Sequence, residues 1–146
     1  MSYINESVIY NIYPLGWCGA PKQNDGQLVY RLDKIYDWIP HFKKMSINCI
    51  VFNPLFESSF HGYDTIDYKK VDCRLGDNES FKKICKTLHE NGIKIILDGV
   101  FNHVGRDFFA FKDVQQNLQN SQYCGWFQNC LLYTSPSPRD RQKSRM

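Results

Sequence analysis

"LGDNESFKKICKTLHENGIKIILDGVF", residues 75–101, combines a helix pattern with a strand pattern that follows it at once. Asp77 can cap the helix, Glu79 lies in the first turn, and Asn91-Gly92 ends it. One face of this helix is apolar and consists of Phe81, Ile84, Cys85 and Leu88. The apolar run after Gly92 has the length of a strand.

A similar strand pattern precedes this helix. "INCIVFNPL", residues 47–55, is nearly unbroken in its apolar character and ends at Asn53-Pro54, which is typical of a strand buried on both faces. Strand, helix and strand with continuous hydrophobic strands predict a parallel β-α-β unit, covered by helices on at least one face. The predicted fold class is therefore α/β.

The other elements follow from the same reasoning. A first strand is predicted at Val8–Tyr13, closed by Pro14. From Arg31 the apolar residues recur at helical spacing, and Pro40 predicts a break of that helix at Ile39–Pro40. Residues 56–72 are predicted to form a long polar and aromatic loop.

Composition limits the classes of protein to which the chain can belong. With 42% hydrophobic residues, the 146-residue chain is sufficient for one globular core. The net charge of +3 arises in residues 131–146, because the first 130 residues carry 14 basic and 14 acidic side chains. This balance indicates no basic face for nucleic acid or for an anionic membrane.

No window approaches the roughly 18 apolar residues of a membrane span, and the first residues do not resemble a secretion signal. A soluble, cytoplasmic protein is predicted. The six cysteines include no C-x-x-C pair, so we interpret them as free thiols rather than as disulfides or a zinc site.

Residues 131–146, "LLYTSPSPRDRQKSRM", are rich in Ser, Pro and Arg and have no periodic apolar face. They are predicted to be a disordered tail. The abrupt onset of this segment resembles a translated cloning adapter joined to a truncated gene, and a native linker is the alternative.

Polar residues follow the last predicted strand. Asp98 lies at its end, with Asn102 and His103 just beyond. In parallel sheets, ligand-binding residues lie past the carboxyl ends of the strands. The alternatives are a strand-end turn held by Asp98 and Asn102, and a metal site, although no second cluster of ligands supports a metal.

The segment after the second strand contains a further polar and aromatic cluster. "FHGYDTIDY" places His61 and Tyr63 on either side of a glycine, with Asp64 and Asp67 beyond. An aromatic ring there can stack on a flat ligand, and a half-buried structural tyrosine is the alternative for Tyr63. Two such clusters at the same edge of a sheet favour a ligand site.

Together these residues resemble a known family. "HGYDTIDYKKVDCRLGDNESFKKICKTLHENGIKIILDGVFNHVG" is similar to the α-amylase superfamily, glycoside hydrolase family 13, in which one strand ends in D-x-x-x-N-H. "VIYNIYPLGWCG" resembles the first strand of that family. "DFFAFKDVQQNLQNSQYCGWF" resembles the opening of the domain inserted after strand three in cyclomaltodextrinase- and neopullulanase-like members.

The resemblance implies a (β/α)8 TIM barrel that is incomplete here, with only the first three strands and the start of the inserted domain. It divides the chain into residues 1–106 of the barrel, residues 107–130 of the inserted domain, and the tail at 131–146. It also implies retaining cleavage of α-glucosidic bonds in maltodextrins, cyclodextrins or starch-like glucans.

The same resemblance implies a role for each site residue. His61, Tyr63 and His103 would bind the sugar, and Asp98 would support the charge network of the site without being the nucleophile. No cofactor is required, with calcium at Asn102 as the one candidate metal. The nucleophile and the acid/base of the family have no counterpart in this chain, so the chain alone is expected to be inactive.

Two other interpretations remain open. A non-catalytic amylase-like binding or scaffold protein would share the motifs, although such a protein has no need to keep the sugar-binding residues. A complete small α/β domain with a disordered tail is the third, and unpaired strand edges count against it.

Overall fold

A computed structural model describes residues 6–127. These residues form two compact units, one ending at Gly105 and one beginning at Arg106. The first unit contains five strands, β1 (Ile9–Ile12), β2 (Cys49–Phe52), β3 (Phe56–Ser58), β4 (Thr65–Val71) and β5 (Lys94–Leu97). It also contains three helices, α1 (Pro14–Trp17), α2 (Ile35–Lys44) and α3 (Asn78–Glu90), and a 3₁₀ turn at Arg31–Lys34.

The strands β1, β2 and β5 form a parallel sheet in that order. The register pairs Cys49 of β2 with Ile9 on one side and with Lys94 on the other. The central strand β2 is almost wholly buried, whereas the ends of β5 are exposed. The predicted β-α-β unit is confirmed, and its β5 is partly exposed.

The helix α3 has the predicted signals at both ends. Asp77 accepts a hydrogen bond from Ser80 N at 2.7 Å, and Ser80 Oγ accepts one from Asp77 N at 3.0 Å, so the two residues form a reciprocal cap. Gly92, with φ of +76°, follows the helix. Ile84 and Leu88 are its buried residues, on the apolar face that the sequence predicts.

The predicted break at Pro40 is wrong, because α2 runs without interruption from Ile35 to Lys44. Pro40 lies on the exposed side of this helix. The buried residues Ile35, Ile39 and Phe42 pack on the opposite side. Burial of this face holds the helix together although Pro40 donates no hydrogen bond.

The predicted loop at residues 56–72 is also wrong. This segment forms an antiparallel hairpin of β3 and β4, with an irregular register at Phe56–Ser58. Bulged short strands of this kind lack the strict alternation of apolar and polar residues that identifies a strand in a sequence. The hairpin carries residues 59–64 in its connecting turn.

Gly62 in this turn has φ of +89°, in the left-handed region. A Cβ atom at this position would lie 2.9 Å from the carbonyl oxygen of Pro54. The turn therefore requires glycine both for its backbone angle and for its close approach to Pro54.

The carboxyl ends of all three parallel strands are hydrogen-bonded side by side. Asn53 N donates to Ile12 O at 2.8 Å, and Asp98 N donates to Phe52 O at 2.9 Å. Tyr13, Asn53 and Asp98 thus begin the loops at one edge of the sheet. We call this edge the carboxyl rim.

The second unit contains α4 (Phe109–Asn117) and two 3₁₀ turns, Leu118–Asn120 and Cys124–Trp126. Its aromatic side chains contact each other, with Phe109 against both Tyr123 and Trp126. The assignment of residues 107–130 to an inserted domain stays a prediction.

The tail at 131–146 and Cys130 lie outside the described residues. Within residues 6–127, none of the helices combines the length and the hydropathy that a membrane span requires. The other five cysteines are all free thiols, as predicted.

In the described residues the outer edges of β1 and β5 have no partner strand. Because such edges can pair with another chain, we expect the 146-residue chain to self-associate at micromolar concentration. Ile9→Lys, at a 47% exposed position of β1, should reduce this association in light scattering. Leu28→Lys, at a 50% exposed loop position, is the matched control. Equal effects of the two substitutions would contradict edge pairing.

Gly62→Ala should lower the free energy of unfolding more than Gly19→Ala. Both glycines have positive φ, for which alanine costs about 1–2 kcal/mol, but a Cβ at Gly19 meets no atom within 4 Å. Urea denaturation in dilute solution measures both losses. If the two substitutions cost the same, the contact with Pro54 does not constrain the turn.

Candidate functional site

The turn between β3 and β4 presents an imidazole and a phenol side by side. The ring centroids of His61 and Tyr63 are 6.1 Å apart, at an interplanar angle of 43°. The His61 side chain is 62% exposed and Tyr63 is 37% exposed. These two residues, which we call the His61–Tyr63 pair, are available to a ligand.

Tyr63 is also joined to the carboxyl rim. Asn53, the first residue after β2, donates from Nδ2 to the Tyr63 hydroxyl at 3.2 Å. Tyr63 N lies 3.3 Å from His61 Nδ1 and donates to it. The pair is therefore oriented by the sheet and by its own turn.

Asp64 fixes the backbone of Phe60 and His61. Its carboxylate accepts hydrogen bonds from Phe60 N at 2.8 Å and from His61 N at 3.0 Å, as in other turns closed by an aspartate side chain. It also lies 3.3 Å from His61 Nδ1. The role of Asp64 visible in the structure is to shape the turn. Asp67 has a similar local role, because it accepts from Lys69 N at 2.8 Å.

A buried ion pair lies beneath this turn. Arg74 donates from Nε to Asp72 Oδ1 at 2.8 Å and from Nη2 to Asp72 Oδ2 at 2.6 Å. Both side chains are completely buried. Ser58 joins the pair, since its hydroxyl donates to Asp72 Oδ2 at 2.9 Å and accepts from Arg74 Nη2 at 2.9 Å. We call Arg74, Asp72 and Ser58 the Arg74 network.

The remaining guanidinium nitrogen binds the loops. Arg74 Nη1 donates to the carbonyl oxygens of Phe60, Pro21 and Lys22, at 2.8, 2.9 and 3.0 Å. The network thus ties the turn of the His61–Tyr63 pair to the loop after α1. Among residues 6–127, no buried side-chain nitrogen or oxygen is left without a hydrogen-bond partner.

The electrostatics of the network favour its charged form. Burial alone lowers the pKa of Arg74, but the hydrogen bonds and the negative charge of Asp72 outweigh this effect and raise the pKa above its ordinary value. Burial has the opposite effect on Tyr13, whose hydroxyl donates to His61 O at 3.0 Å: it raises the pKa of the phenol, because the charged form of tyrosine is an anion. Tyr13 therefore remains a protonated donor at neutral pH.

A cavity of about 530 Å³ opens beside His61. One wall is formed by residues 13–22, which follow β1, and the other by the hairpin turn. Both walls are mostly apolar. They include Tyr13, Leu15, Pro21, Lys22 and Phe60. Arg74 donates hydrogen bonds to the carbonyl groups of three of these residues, namely Pro21, Lys22 and Phe60.

The second predicted cluster lies along the other side of the hairpin. The Tyr68 hydroxyl contacts the carbonyl oxygens of Val100 and His103, the latter at 3.2 Å. Gly105 N donates to Thr65 O at 2.8 Å. The backbone of residues 100–105 is therefore fastened along Thr65–Tyr68. Asp98 is half-buried at the rim, while Asn102 and His103 are exposed.

The structure thus brings His61 and Tyr63 together and places the segment of His103 next to the same hairpin. In the described part of the chain, no hydrogen bond or ring contact joins His103 or Asp98 to the His61–Tyr63 pair. That these residues share one ligand stays a prediction.

Metal binding at Asn102 gains no support from the structure. Asn102 is exposed, and residues 6–127 contain no group of three or more His, Cys, Asp or Glu side chains that could hold a metal. A calcium site needs about six to eight oxygen ligands, and calcium at Asn102 stays a prediction.

Sequence reasoning missed the Arg74 network completely. Charged residues are almost always exposed unless they are paired, and nothing in "VDCRLG" shows that Asp72 and Arg74 are buried. The one local pattern that could have suggested a buried ion pair is that Asp72 and Arg74 have opposite charges and apolar neighbours. The partners Ser58, Phe60 and Pro21 are distant in sequence.

Comparison with known proteins identifies the family. The model described as "Alpha amylase, catalytic domain" matches residues 12–144. The cyclomaltodextrinase of Thermoanaerobacter pseudethanolicus is 37% identical, over 93% of this chain and 27% of that protein. Neopullulanase 2 of Thermoactinomyces vulgaris is 37% identical, over 86% of this chain and 24% of that protein.

Solved structures show the same relationship. The cyclic α-maltosyl-(1→6)-maltose hydrolase of Arthrobacter globiformis, in complex with maltose, has a TM-score of 0.73 and 30% identity, over 87% of this chain and 32% of that one. The Nostoc punctiforme debranching enzyme, soaked with acarbose, has a TM-score of 0.70 and 32% identity, over 86% of this chain and 31% of that one. The chain spans about a quarter of the length of the curated relatives it matches. It belongs to the α-amylase family and carries part of the catalytic domain of that family.

Proposed function

We propose that this chain is part of a retaining α-glycosidase that cleaves or transfers α-glucosidic bonds in maltodextrins, cyclodextrins or starch-like glucans. The strands β1, β2 and β5 would be the first three strands of its (β/α)8 barrel, and residues from 107 onward would begin the domain inserted after the third. Membership of the family and the parallel order of the three strands support this assignment.

The observation that carries the proposal is the exposed His61–Tyr63 pair at the carboxyl rim. A phenol ring that is held in place can stack on the apolar face of a glucose ring. The adjacent imidazole can hydrogen-bond the hydroxyl groups of that sugar. His103, on the neighbouring exposed segment, is proposed as a second donor or acceptor for the same sugar.

These contacts suit the chemistry of glycoside cleavage. The transition state resembles an oxocarbenium ion, and the sugar ring flattens as positive charge develops on it. A stacking ring and hydroxyl contacts that strengthen as the ring flattens lower the barrier, because they bind the transition state better than the ground state. Asp98, at the end of β5, is proposed to support the negative potential of the site.

The covalent chemistry needs residues beyond those assigned here. A retaining enzyme uses two carboxyl groups about 5–5.5 Å apart, one as nucleophile and one as acid/base. By resemblance to the family, neither corresponds to a carboxylate of this chain. We therefore propose that the complete protein is the active form. We also propose that it works in the cytoplasm and requires no cofactor.

The complete protein that contains this chain should hydrolyse cyclodextrin, maltotriose or starch with retention of the α configuration. NMR of the first product formed measures the configuration, and the relative rates on the three substrates separate the subclasses. Inversion would contradict the proposed chemistry. Binding of these glucans without turnover would favour the non-catalytic amylase-like protein.

Tyr63→Ala in the complete protein should lower kcat/KM by about tenfold or more, since this corresponds to losing about 1.4 kcal/mol of transition-state binding. Tyr30→Ala is the control for truncation of an exposed tyrosine, and its stability is measured as well, because the Tyr30 hydroxyl donates to Asp77 at 3.0 Å. Tyr63→Phe should keep most of the activity. An unchanged kcat/KM in Tyr63→Ala, or an equal loss in the control, would exclude Tyr63 from the sugar site.

The 146-residue chain by itself should release no reducing sugar from any of these substrates, because it lacks the nucleophile and the acid/base. A reducing-sugar assay at high protein concentration tests this. Turnover by the purified chain would show that its own carboxylates perform the chemistry.

A further inference from the structure

The backbone of the turn that carries the His61–Tyr63 pair is held mainly by side chains. Phe60 N and His61 N donate to Asp64, and His61 O accepts from Tyr13. Gly62 N donates to Ser58 Oγ at 3.1 Å. The orientation of the pair therefore depends on these side chains and on whatever fixes them.

Arg74 connects this turn to the opposite wall of the cavity at more points than Tyr13 does, since Tyr13 makes a single hydrogen bond to His61 O. Its Nη1 binds Phe60 O on one wall and the carbonyls of Pro21 and Lys22 on the other. Its Nη2 and Nε fix Ser58 and Asp72. Ser58 in turn holds the amide of Gly62, one residue from both members of the pair.

The free-energy cost of burying the Asp72–Arg74 ion pair indicates that the pair has a role other than stabilising the fold. Burying an ion pair requires removing two charges from water, and its replacement by packed apolar residues is often neutral or stabilising. The planar guanidinium, however, presents five donors in fixed directions, which lysine cannot reproduce. Every group that Arg74 contacts here belongs to the turn, to the facing loop, or to the residues that fix them.

We propose that Arg74 is a positioning residue of the sugar site: it sets the distance and orientation of the His61–Tyr63 pair through Phe60, Ser58 and Gly62, without touching the substrate. This inference rests on the proposed function, and it adds a buried residue whose hydrogen bonds go to the backbone and side chains around the two rings and not to the rings themselves. It also predicts that the cavity beside His61 changes its width when the Arg74 hydrogen bonds to both walls are lost.

Arg74→Lys tests the proposal, because it keeps a positive charge next to Asp72 but removes the planar array of donors. Ile84→Val is the matched control for general destabilisation, since Ile84 is buried in α3 and the substitution removes one methyl group. In the complete protein, Arg74→Lys should accelerate amide hydrogen exchange in residues 19–24 and 58–64 while leaving residues 84–90 unchanged. Ile84→Val should not show this local pattern.

In the complete protein, Arg74→Lys should lower kcat/KM by about a hundredfold, the scale of a misplacement of about 1 Å. If Arg74 acts through the His61–Tyr63 pair, the double variant Arg74→Lys/Tyr63→Ala should lose less activity than the product of the two single losses. Independent, multiplying losses would overturn the proposal, as would a loss no larger than that of Ile84→Val.

The two readouts separate this inference from the proposed function. If the complete protein cleaves no glucan, the proposed function fails, and hydrogen exchange still decides whether Arg74 positions the turn. If exchange in residues 58–64 is the same in Arg74→Lys and in the unsubstituted chain, the positioning role is wrong whatever the protein does.

Discussion

The ion pair between Asp72 and Arg74 lies where three parts of the first unit meet. Asp72 follows β4, Ser58 ends β3, and the carbonyls of Pro21 and Lys22 belong to the loop after α1. Two charged side chains without solvent contact are tolerable only when all their hydrogen-bonding groups are satisfied. Arg74 meets this condition by donating to the carbonyl groups of the loops. The hydrogen bonds that compensate for its burial are therefore the same ones that hold the loops in place.

The parallel sheet supplies the second constraint. Its three strands end together, and the backbone bonds from Asn53 to Ile12 and from Asp98 to Phe52 align the starts of the three loops. The hairpin of β3 and β4 then brings Tyr63 back to Asn53 and fastens residues 100–105 along its other strand. The hairpin is thus the element that places both clusters of polar residues at one rim.

These two features explain how a part of the α-amylase catalytic domain can hold the proposed sugar-binding residues in an organised arrangement. The sheet determines where the loops start, and buried charge together with a glycine at positive φ determines the shape of the turn. Neither feature depends on the carboxylates that perform the covalent chemistry. Recognition of the sugar ring and cleavage of the bond are therefore carried by separable parts of the proposed enzyme.

The sequence alone was sufficient to predict α3, the three parallel strands and the family. These depend on local patterns such as the cap at Asp77 and the apolar runs of β2 and β5. The sequence also predicted His61 and Tyr63 as candidate site residues, a role that stays a prediction, while their adjacency in the structure follows from their spacing. Only the tertiary structure decided that α2 continues through Pro40, that residues 56–71 pair as a hairpin, and that Asp72 and Arg74 are buried. The physical reason is that each of these outcomes depends on packing or hydrogen-bond partners from distant segments, and a pattern read along one segment contains no information about them.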